Sequence, residues 1–594
     1  MSPGLPPAPR QGNPHLPLAP SAPGRGWPWA ACAAVALPTL IAYNLPPSAT
    51  FLNQAAALVG WGIWLLVLAS GLPSGALRGA RAPAPRGAAL GLRLLAGLAS
   101  PLWTGLPWSL ALSSAGALFA AGLAAVCATA LQRSGLGPAA FRALCIALLV
   151  AGVLGAAIGL VQVFAPGWAD GTLVARSSIV GRAVGNLRQP NQLSSFLLWG
   201  LVALVWLAHA GTLRRGVALA LGALLLFGVV LSGSRTGAIG ALVLALWGWV
   251  DRRHARGARR ALMAVPLVYV VMWAAMVGWA SLGHANGVAT RFGAGGDISS
   301  SRFGIWSNTL ELIRAQPWAG VGWGEFNFAW SLTPFPHRPV AFFDHTHNLA
   351  LQFAVELGLP LAALVLALLA WALLCAGVAA WQAEGEAGPA LRAAFVMLAM
   401  VALHSQLEYP LWYVYFLLPT GFVFGLCLGA TAPSAVPPLA SGGRINGLAV
   451  GGVVVWLAGL FSLIDYARVV VIFAPPDGAP PLARRIADGQ RSLLFSHHAD
   501  YAAATTPDPA GDPLDGFKGA PHYLLDARLM QAWAKALDET GDTERASHVA
   551  ARLKEFRNEQ SAAFFEVCEG TEVLAEAASF PCRDSTGLGY RDFR

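Results

Sequence analysis

Residues 141–164 read FRALCIALLVAGVLGAAIGLVQVF, and this composition decides the kind of fold. Arg142 is the single charged side chain in the stretch. A helix of this length rises about 36 Å, which is enough to cross the ~30 Å hydrocarbon layer of a bilayer. Similar runs recur along the 594 residues, which are 56% hydrophobic and 12% charged, with a mean hydropathy of +0.56. A soluble domain is about 25% charged. The sequence therefore predicts an all-α polytopic membrane protein.

Thirteen apolar stretches are predicted to cross the membrane, so we expect about 12–13 transmembrane helices. They cover residues 28–45, 53–71, 88–105, 108–131, 141–164, 192–209, 216–232, 236–250, 261–281, 349–378, 389–405, 410–431 and 446–466.

Three kinds of region follow from this pattern. The Pro-rich residues 1–26 are predicted to form a disordered cytoplasmic arm, since no small-residue cleavage site follows a short apolar stretch. Residues 27–466 form the predicted membrane domain, interrupted by a long periplasmic loop over 282–348. Residues 467–594 have ordinary soluble composition and form a small helical periplasmic domain.

Arginines in the short connections orient the predicted helices. They occur at Arg133 and Arg142, at Arg214 and Arg215, and throughout the run 251–260. Positively charged loops stay in the cytoplasm, so we expect a multi-pass membrane protein with a cytoplasmic N-terminus. The same rule accounts for the net charge of +9 without nucleic-acid binding. The opposite face, periplasmic or extracellular, then receives residues 166–191, 232–235, 282–348, 406–409 and the tail from 467.

The tail carries two structural signals. Within 521–558, Leu525, Leu529 and Trp533 recur at helical spacing, and the pattern resumes after Gly541, which predicts a helical hairpin. Cys568 and Cys582 form the only plausible disulfide pair, because the five other cysteines lie in apolar spans. An oxidising compartment would favour that bond.

Three polar motifs and one arginine interrupt the apolar chain on the predicted outer face. They are Gln189-Pro190-Asn191, Ser232-Gly233-Ser234-Arg235, Asp344-His345-Thr346-His347-Asn348 and Arg302. Polar groups in a membrane-spanning chain are costly and tend to mark function. Their convergence on one face predicts an active site.

The arginines suit a phosphorylated substrate. Arg235 follows Ser-Gly-Ser at a membrane boundary, and Arg302 follows three serines in the long loop. A guanidinium binds phosphate bidentately and keeps its charge, so both predict binding of a lipid-linked diphosphate. Arg188, Arg176 and Arg182 in the first outer loop could contribute. Snorkelling to lipid headgroups is the alternative, above all for the last two.

The histidines suit proton transfer. His347 is a natural base for a hydroxyl acceptor, and His345 lies two residues earlier. A partial metal site with Asp344 is the alternative, but the chain has no Asp-x-Asp element, so we expect neither a metal nor another cofactor. An interfacial loop with incidental histidines is the third possibility.

The remaining candidates lie where outer loops meet spans. Gln189 and Asn191 are candidates for substrate binding. The alternative is structural, because proline and asparagine are common at the N-terminus of a helix. Glu408 is predicted to hold an arginine or a histidine in position, with Tyr409 and Tyr413 nearby at the depth of interface anchors.

The ordered motifs resemble a known superfamily. Residues 185–193, 232–236, 317–324 and 347–358 resemble the O-antigen ligase and polymerase superfamily, and 404–419 is similar to PglL-type bacterial protein O-oligosaccharyltransferases. The resemblance covers about residues 180 to 430.

This resemblance implies a metal-independent glycosyltransferase at the outer face of the inner membrane. Such an enzyme moves a preassembled glycan from undecaprenyl diphosphate to a Ser or Thr hydroxyl of a protein, commonly a pilin. His347 matches the essential loop histidine, although His345 leaves the identity of the base open. The remaining matches are Gln189 for a glutamine, Tyr409 or Tyr413 for a tyrosine, and Arg235 and Arg302 for the arginines that hold the diphosphate.

Alternatives differ in acceptor or in class. Ligation to lipid A core and polymerisation of O-antigen units share the same chemistry. A transporter would be expected to show internal repeats and polar residues near mid-membrane, which the chain lacks. A structural membrane scaffold is the last alternative.

Overall fold

The computed structural model describes residues 26–72, 84–283, 298–340, 342–431, 446–506, 514–568, 580–583 and 587–594. The predicted N-terminal arm lies outside them except for Gly26. Within the described residues the regular structure is helical throughout.

Each of the thirteen predicted spans coincides with a helix. The helices are α1 (Trp27–Leu40), α2 (Phe51–Ser70), α3 (Ala84–Ala99), α4 (Trp108–Arg133), α5 (Gly137–Phe164), α6 (Pro190–His209), α7 (Arg215–Leu231), α8 (Arg235–Val250), α9 (Arg256–Ser281), α12 (Leu349–Gln382), α13 (Ala387–His404), α14 (Val414–Gly429) and α15 (Gly447–Phe473). Among the described residues, eight helices are long and apolar enough to cross a membrane: α2, α4, α5, α6, α9, α12, α13 and α15. The all-α polytopic fold is confirmed, and the other five helices are shorter apolar ones.

The predicted outer loop 282–348 contains two helices that the sequence analysis did not anticipate. They are α10 (Ile298–Ala315) and α11 (Phe326–Leu332). Ile305 and Leu312, seven residues apart on α10, are both buried, so an amphipathic stripe stabilises this helix without a continuous apolar run. Arg302 therefore lies on a helix rather than in an extended loop.

Glycines allow two of the apolar helices, α4 and α14, to approach closely. On α14, Gly421, Gly425 and Gly429 recur every four residues and lie against the backbone of α4. A Cβ added at Gly425 would lie 2.1 Å from the carbonyl oxygen of Ala125. The hydroxyl of Thr129 donates to the carbonyl oxygen of Gly425 at 3.0 Å across the same interface. Small residues at this spacing allow two helix backbones to approach, as in other membrane bundles.

A break in α12 contacts the described part of the predicted outer loop, residues 298–340 and 342–348, which we call the outer segment. Gly358 has a left-handed backbone, with φ of +74°, and a Cβ there would lie 2.3 Å from the carbonyl oxygen of Trp318. The segment 317–324 fills this break: the Val321 N–H donates to the Val355 carbonyl at 2.8 Å. The break therefore fixes where α10 and α11 lie relative to the start of α12.

The C-terminal region packs on this outer segment. Its helices are α16 (Leu482–Gly489), α17 (Ser496–Ala504), α18 (Ala527–Glu539) and α19 (Thr543–Glu555). The predicted hairpin is confirmed as α18 and α19, joined at Gly541 with φ of +89°. His522 Nδ1 lies 2.8 Å from Glu325, which is fully buried. The predicted disulfide between Cys568 and Cys582 is also present.

The two ends of the helical body differ in chemistry. The arginine-rich turn before α9 lies at the C-terminal end of α12, where Arg253 Nη1 donates to the Trp381 carbonyl at 3.0 Å. The polar motif ending at Asn348 lies at the start of α12, 34 residues long, about 50 Å away along the helix. The arginine-rich turn 251–260 and the polar motif 344–348 thus lie at opposite ends of α12.

The glycine contact between α4 and α14 gives a test of the fold. Gly425→Ala inserts a methyl group against backbone that cannot rotate away, so we expect a loss of about 1–3 kcal/mol. The thermal unfolding midpoint of the purified protein in detergent should fall. Gly116→Ala on α4 is the matched control, because its Cβ would meet nothing within 4 Å. Equal midpoints for the two variants would contradict this packing.

Candidate active site

All three polar motifs cap helix N-termini. Side-chain oxygens of Gln189, Ser234 and Asn348 each accept a hydrogen bond from the backbone N–H three residues ahead, at 2.7, 3.1 and 3.0 Å. These contacts satisfy the first N–H groups of α6, α8 and α12. The N-terminus of a helix carries partial positive charge, so their convergence favours an anion nearby.

The carboxylate of Glu408 joins the motifs. Its Oε1 accepts from Asn191 Nδ2 at 2.8 Å and from Arg302 Nη2 at 2.5 Å, and its Oε2 accepts from His347 Nδ1 at 2.8 Å. Glu408 is 7% exposed. One buried carboxylate, predicted to hold an arginine or a histidine, therefore pairs with both and also with Asn191.

The environment of Glu408 sets its protonation state. Burial alone would raise the pKa of this carboxyl, but the hydrogen bond and charge of His347 and the charge of Arg302 together lower it below its ordinary value. Glu408 is therefore ionised and can only accept. It follows that His347 donates from Nδ1, so in the neutral imidazole Nε2 is the acceptor.

Asn191 links this cluster to the start of α8. Its Oδ1 accepts from the hydroxyl of Ser234 at 2.6 Å. Arg235 is the next residue, the first of α8, and its side chain is exposed. Among the candidates for diphosphate binding, Arg302 thus lies in the cluster and Arg235 one residue from it.

The other outer-loop arginines bind backbone. Buried Arg182 donates from Nε to the Ser232 carbonyl at 2.6 Å, which holds the Ser-Gly-Ser turn rather than snorkelling to lipid. Arg188 donates to the carbonyls of Ala42 and Ala49 and so ties the start of α6 to the segment after α1. These contacts assign both arginines a positioning role.

Aromatic rings form one wall of the site. The His345 ring stacks on Tyr409 with centroids 4.2 Å apart, and His347 meets the same ring edge-on at 5.2 Å. Tyr413 also stacks on Tyr409, with ring centroids 6.0 Å apart. Burial raises the pKa of Tyr409, so its hydroxyl stays protonated. His345 Nδ1 lies 2.9 Å from Asp344 rather than from Glu408.

The histidine segment depends on residues that the sequence analysis missed. His347 has a left-handed backbone, with φ of +55°, which is unfavourable outside glycine. Thr346 beside it is held on both sides: its carbonyl accepts from Trp306 Nε1 at 2.9 Å, and its N–H donates to Gln352 Oε1 at 2.8 Å. The sequence does contain a signal for this contact, because Gln352 is a polar residue within the first turns of an otherwise apolar helix.

No group of three or more His, Cys, Asp or Glu side chains arranged for a metal ion occurs among the described residues. What the geometry offers chemically is an oriented imidazole, a guanidinium and several helix N-termini at one end of the bundle.

Comparison with known proteins agrees with the resemblance seen in the motifs. Three family profiles match: one described as protein glycosylation ligase over residues 183–208, one as O-antigen ligase over 219–366, and one as the C-terminal part of a virulence factor membrane-bound polymerase over 392–566. Asn191, Arg302, His347 and Glu408 all fall inside these segments. The expected resemblance to the superfamily is confirmed.

Two curated proteins of Acinetobacter baylyi are similar to this chain. A general O-oligosaccharyltransferase is 29% identical over 271 residues, which cover 42% of this chain and 44% of that protein. A ComP-specific O-oligosaccharyltransferase is 27% identical over 262 residues, with the same shares. The chain therefore spans less than half the length of these relatives.

Glu408→Gln tests the central contact. Glutamine keeps one acceptor but removes the charge that compensates Arg302, so we expect the free energy of unfolding to fall by about 2 kcal/mol at neutral pH.

The stabilisation by Glu408 should also depend on pH. Because the pKa of Glu408 is lowered in the fold, this stabilisation is fully present above about pH 5 and is lost as the pH falls through the lower pKa of the folded state. The gap in thermal midpoint between wild type and variant should be constant above about pH 5 and narrow below it. Glu539→Gln, exposed on α18, is the control. Identical wild-type and Glu408→Gln midpoints at pH 7 would refute the contact.

Proposed function

We propose that this protein transfers a preassembled glycan from undecaprenyl diphosphate to Ser or Thr hydroxyls of proteins such as pilin, at the periplasmic face of the bacterial inner membrane. The observation that carries the proposal is the set of Arg302, His347 and Asn191 on the single carboxylate of Glu408. Both similar curated proteins are O-oligosaccharyltransferases by name. The arginine-rich end of the bundle, opposite this site, supports the orientation.

The donor diphosphate is held by charge. Arg302 uses one nitrogen for Glu408, and a guanidinium has five N–H donors, so others remain for phosphate oxygens. Arg235 and the N-termini of α6, α8 and α12 add positive potential. Preorganised charge at a departing diphosphate contributes several kcal/mol to catalysis. The apolar helices hold the polyprenyl chain.

The acceptor hydroxyl is activated by His347. The hydroxyl oxygen attacks the anomeric carbon while its proton passes to His347 Nε2, and the bond from that carbon to the diphosphate oxygen breaks with its electron pair on the leaving diphosphate. Glu408 holds the imidazole orientation and stabilises the imidazolium. General base catalysis of this kind contributes about 10²–10⁴-fold. The reaction uses no metal or other cofactor.

The remaining candidates position substrates. Gln189 and Asn191 lie at the start of α6 and orient the glycan or the acceptor. Tyr409 and Tyr413 provide hydroxyl donors and ring faces to the sugars. His345, stacked on Tyr409, sets the wall beside the base. Arg188 fixes the outer loop that carries the Gln-Pro-Asn motif.

A second candidate function has the same chemistry and a different acceptor. The O-antigen ligase profile over 219–366 and the polymerase profile over 392–566 favour transfer to a sugar hydroxyl of lipid A core or of another O-antigen unit. In that case His347 would take its proton from the sugar.

Intact-mass analysis of pilin and periplasmic proteins tests the acceptor. Cells of the source bacterium that carry His347→Ala at normal membrane abundance should lose a hexose-multiple mass from those proteins, because the base is absent. His209→Ala, exposed at the other end of α6, is the matched control. Full transfer by His347→Ala would remove the base assignment. An altered lipopolysaccharide ladder with unchanged protein masses would favour the second function.

Arg235→Lys tests the donor contact. Lysine keeps the charge but loses the two-pronged geometry, so we expect the KM for the diphosphate donor to rise about tenfold or more. Arg215→Lys is the matched control, since Arg215 also begins a membrane helix but at its opposite end. An unchanged donor KM in Arg235→Lys would exclude the diphosphate role.

A further inference from the structure

A second cleft lies between the outer segment and the C-terminal hairpin. Its volume is about 670 Å³, and it opens between residues 335–339, the C-terminal end of α19, and residues 581–583. None of the candidates for glycan transfer lines it.

Positive charge dominates this cleft. The described residues that line it include five cations and one carboxylate: Arg338, Arg552, Lys554, Arg557, Arg583 and Glu555. Two of the cations already share the carboxylate, since Arg338 Nε lies 2.9 Å and Arg552 Nη2 2.7 Å from Glu555. Lys554, Arg557 and Arg583 are exposed. The lining therefore has a net charge of +4 before any ligand binds.

One cation in the cleft has an unsatisfied donor. Arg552 is 9% exposed, and its Nε is buried without a hydrogen-bond partner among the described residues. A buried unpaired N–H of a charged group costs free energy, so Arg552 is a cation that its surroundings do not fully satisfy. The nearby guanidinium of Arg338 is fully buried and lies 4.6 Å from the Phe556 ring, so it forms a fixed floor.

The cleft is connected to the transfer site by one short segment. Phe342 stacks on Phe556 beside the cleft at 3.9 Å, and Phe343 meets the His347 ring at 5.6 Å. Arg338 and His347 are nine positions apart in the chain, so they lie at most about 32 Å from each other. About ten residues of extended polypeptide would span both.

We propose that this cleft binds an acidic segment of the acceptor protein, within about ten residues of the hydroxyl that receives the glycan. The proposal rests on the proposed function, in which the acceptor is a polypeptide. Asp and Glu side chains would pair with the three exposed cations, Lys554, Arg557 and Arg583. The cleft is built by the hairpin and the outer segment, away from the apolar helices that hold the polyprenyl chain, and a peptide can reach from it to His347.

Peptide binding to the full-length protein in detergent tests this directly. The probe is a fluorescein-labelled 12-residue peptide with one serine and four Asp or Glu residues, and the comparison peptide has Asn or Gln in their place. Fluorescence anisotropy should detect the acidic peptide and not the neutral one, with affinity that falls as salt rises. The triple variant Lys554→Glu, Arg557→Glu, Arg583→Glu should bind at least tenfold more weakly.

The control variant removes equal charge elsewhere on the tail. It is Arg484→Glu, Arg491→Glu, Arg528→Glu, three exposed arginines outside the cleft, and its affinity should match wild type. Equal affinity of the cleft variant and wild type would overturn the proposal. So would binding of an oligogalacturonate, an acidic glycan probe, at concentrations where the acidic peptide does not bind.

A transfer assay separates this proposal from the function on which it rests. The cleft variant should raise the KM for an acidic acceptor at least tenfold, with kcat and the KM for a neutral acceptor unchanged. His347→Ala should abolish transfer to both acceptors and leave peptide binding intact. Retained transfer in His347→Ala would contradict the proposed mechanism alone, whereas unchanged peptide binding in the cleft variant would contradict the cleft alone.

Discussion

The carboxylate of Glu408 is the interaction on which the site depends. A buried charge is costly, and this one is compensated by three donors that arrive from three separate parts of the chain. Asn191 belongs to α6, Arg302 to α10, and His347 to the segment before α12. Satisfying one carboxylate therefore fixes the relative positions of two membrane helices and one helix outside them.

The same contact has a chemical consequence. Because Glu408 stays ionised, it dictates which nitrogen of His347 carries the proton, and the same carboxylate also binds Arg302. The position of Glu408 follows from how α13 ends. The Glu408 N–H donates to the His404 carbonyl, and the Leu349 N–H donates to the Ser405 carbonyl at 2.8 Å. The end of α13 and the start of α12 are thus joined before any side chain of the site is involved.

How far the sequence predicts this structure depends on the range of the interactions. The thirteen apolar helices follow from local composition, since an apolar run in lipid must satisfy its own backbone and a helix does so. The C-terminal hairpin follows from helical spacing and a turn glycine.

The sequence analysis did not identify α10, because its apolar stripe is short and interrupted. Nor did it identify the backbone contacts of Arg182 and Arg188, which join residues 50 and 146 positions apart. The sequence analysis predicted an arginine or a histidine as the partner of Glu408, but it could not predict which one. Arg302 and Asn191 lie 106 and 217 positions from Glu408, and packing rather than local pattern brings them together.

The left-handed backbone of His347 explains why the C-terminal hairpin belongs with the site. A residue in this conformation stays there only when its neighbours restrain it from both directions. On one side, Asn348 caps α12 and His347 binds Glu408. On the other, Arg338 is bound by Glu555 of the hairpin and Phe342 stacks on Phe556, so the segment leading to His347 is anchored to α19 and the residue after it. Removing the hairpin would release these anchors, whereas Trp306 and Gln352 would still hold Thr346 beside His347. The C-terminal hairpin therefore supports the segment that leads to His347.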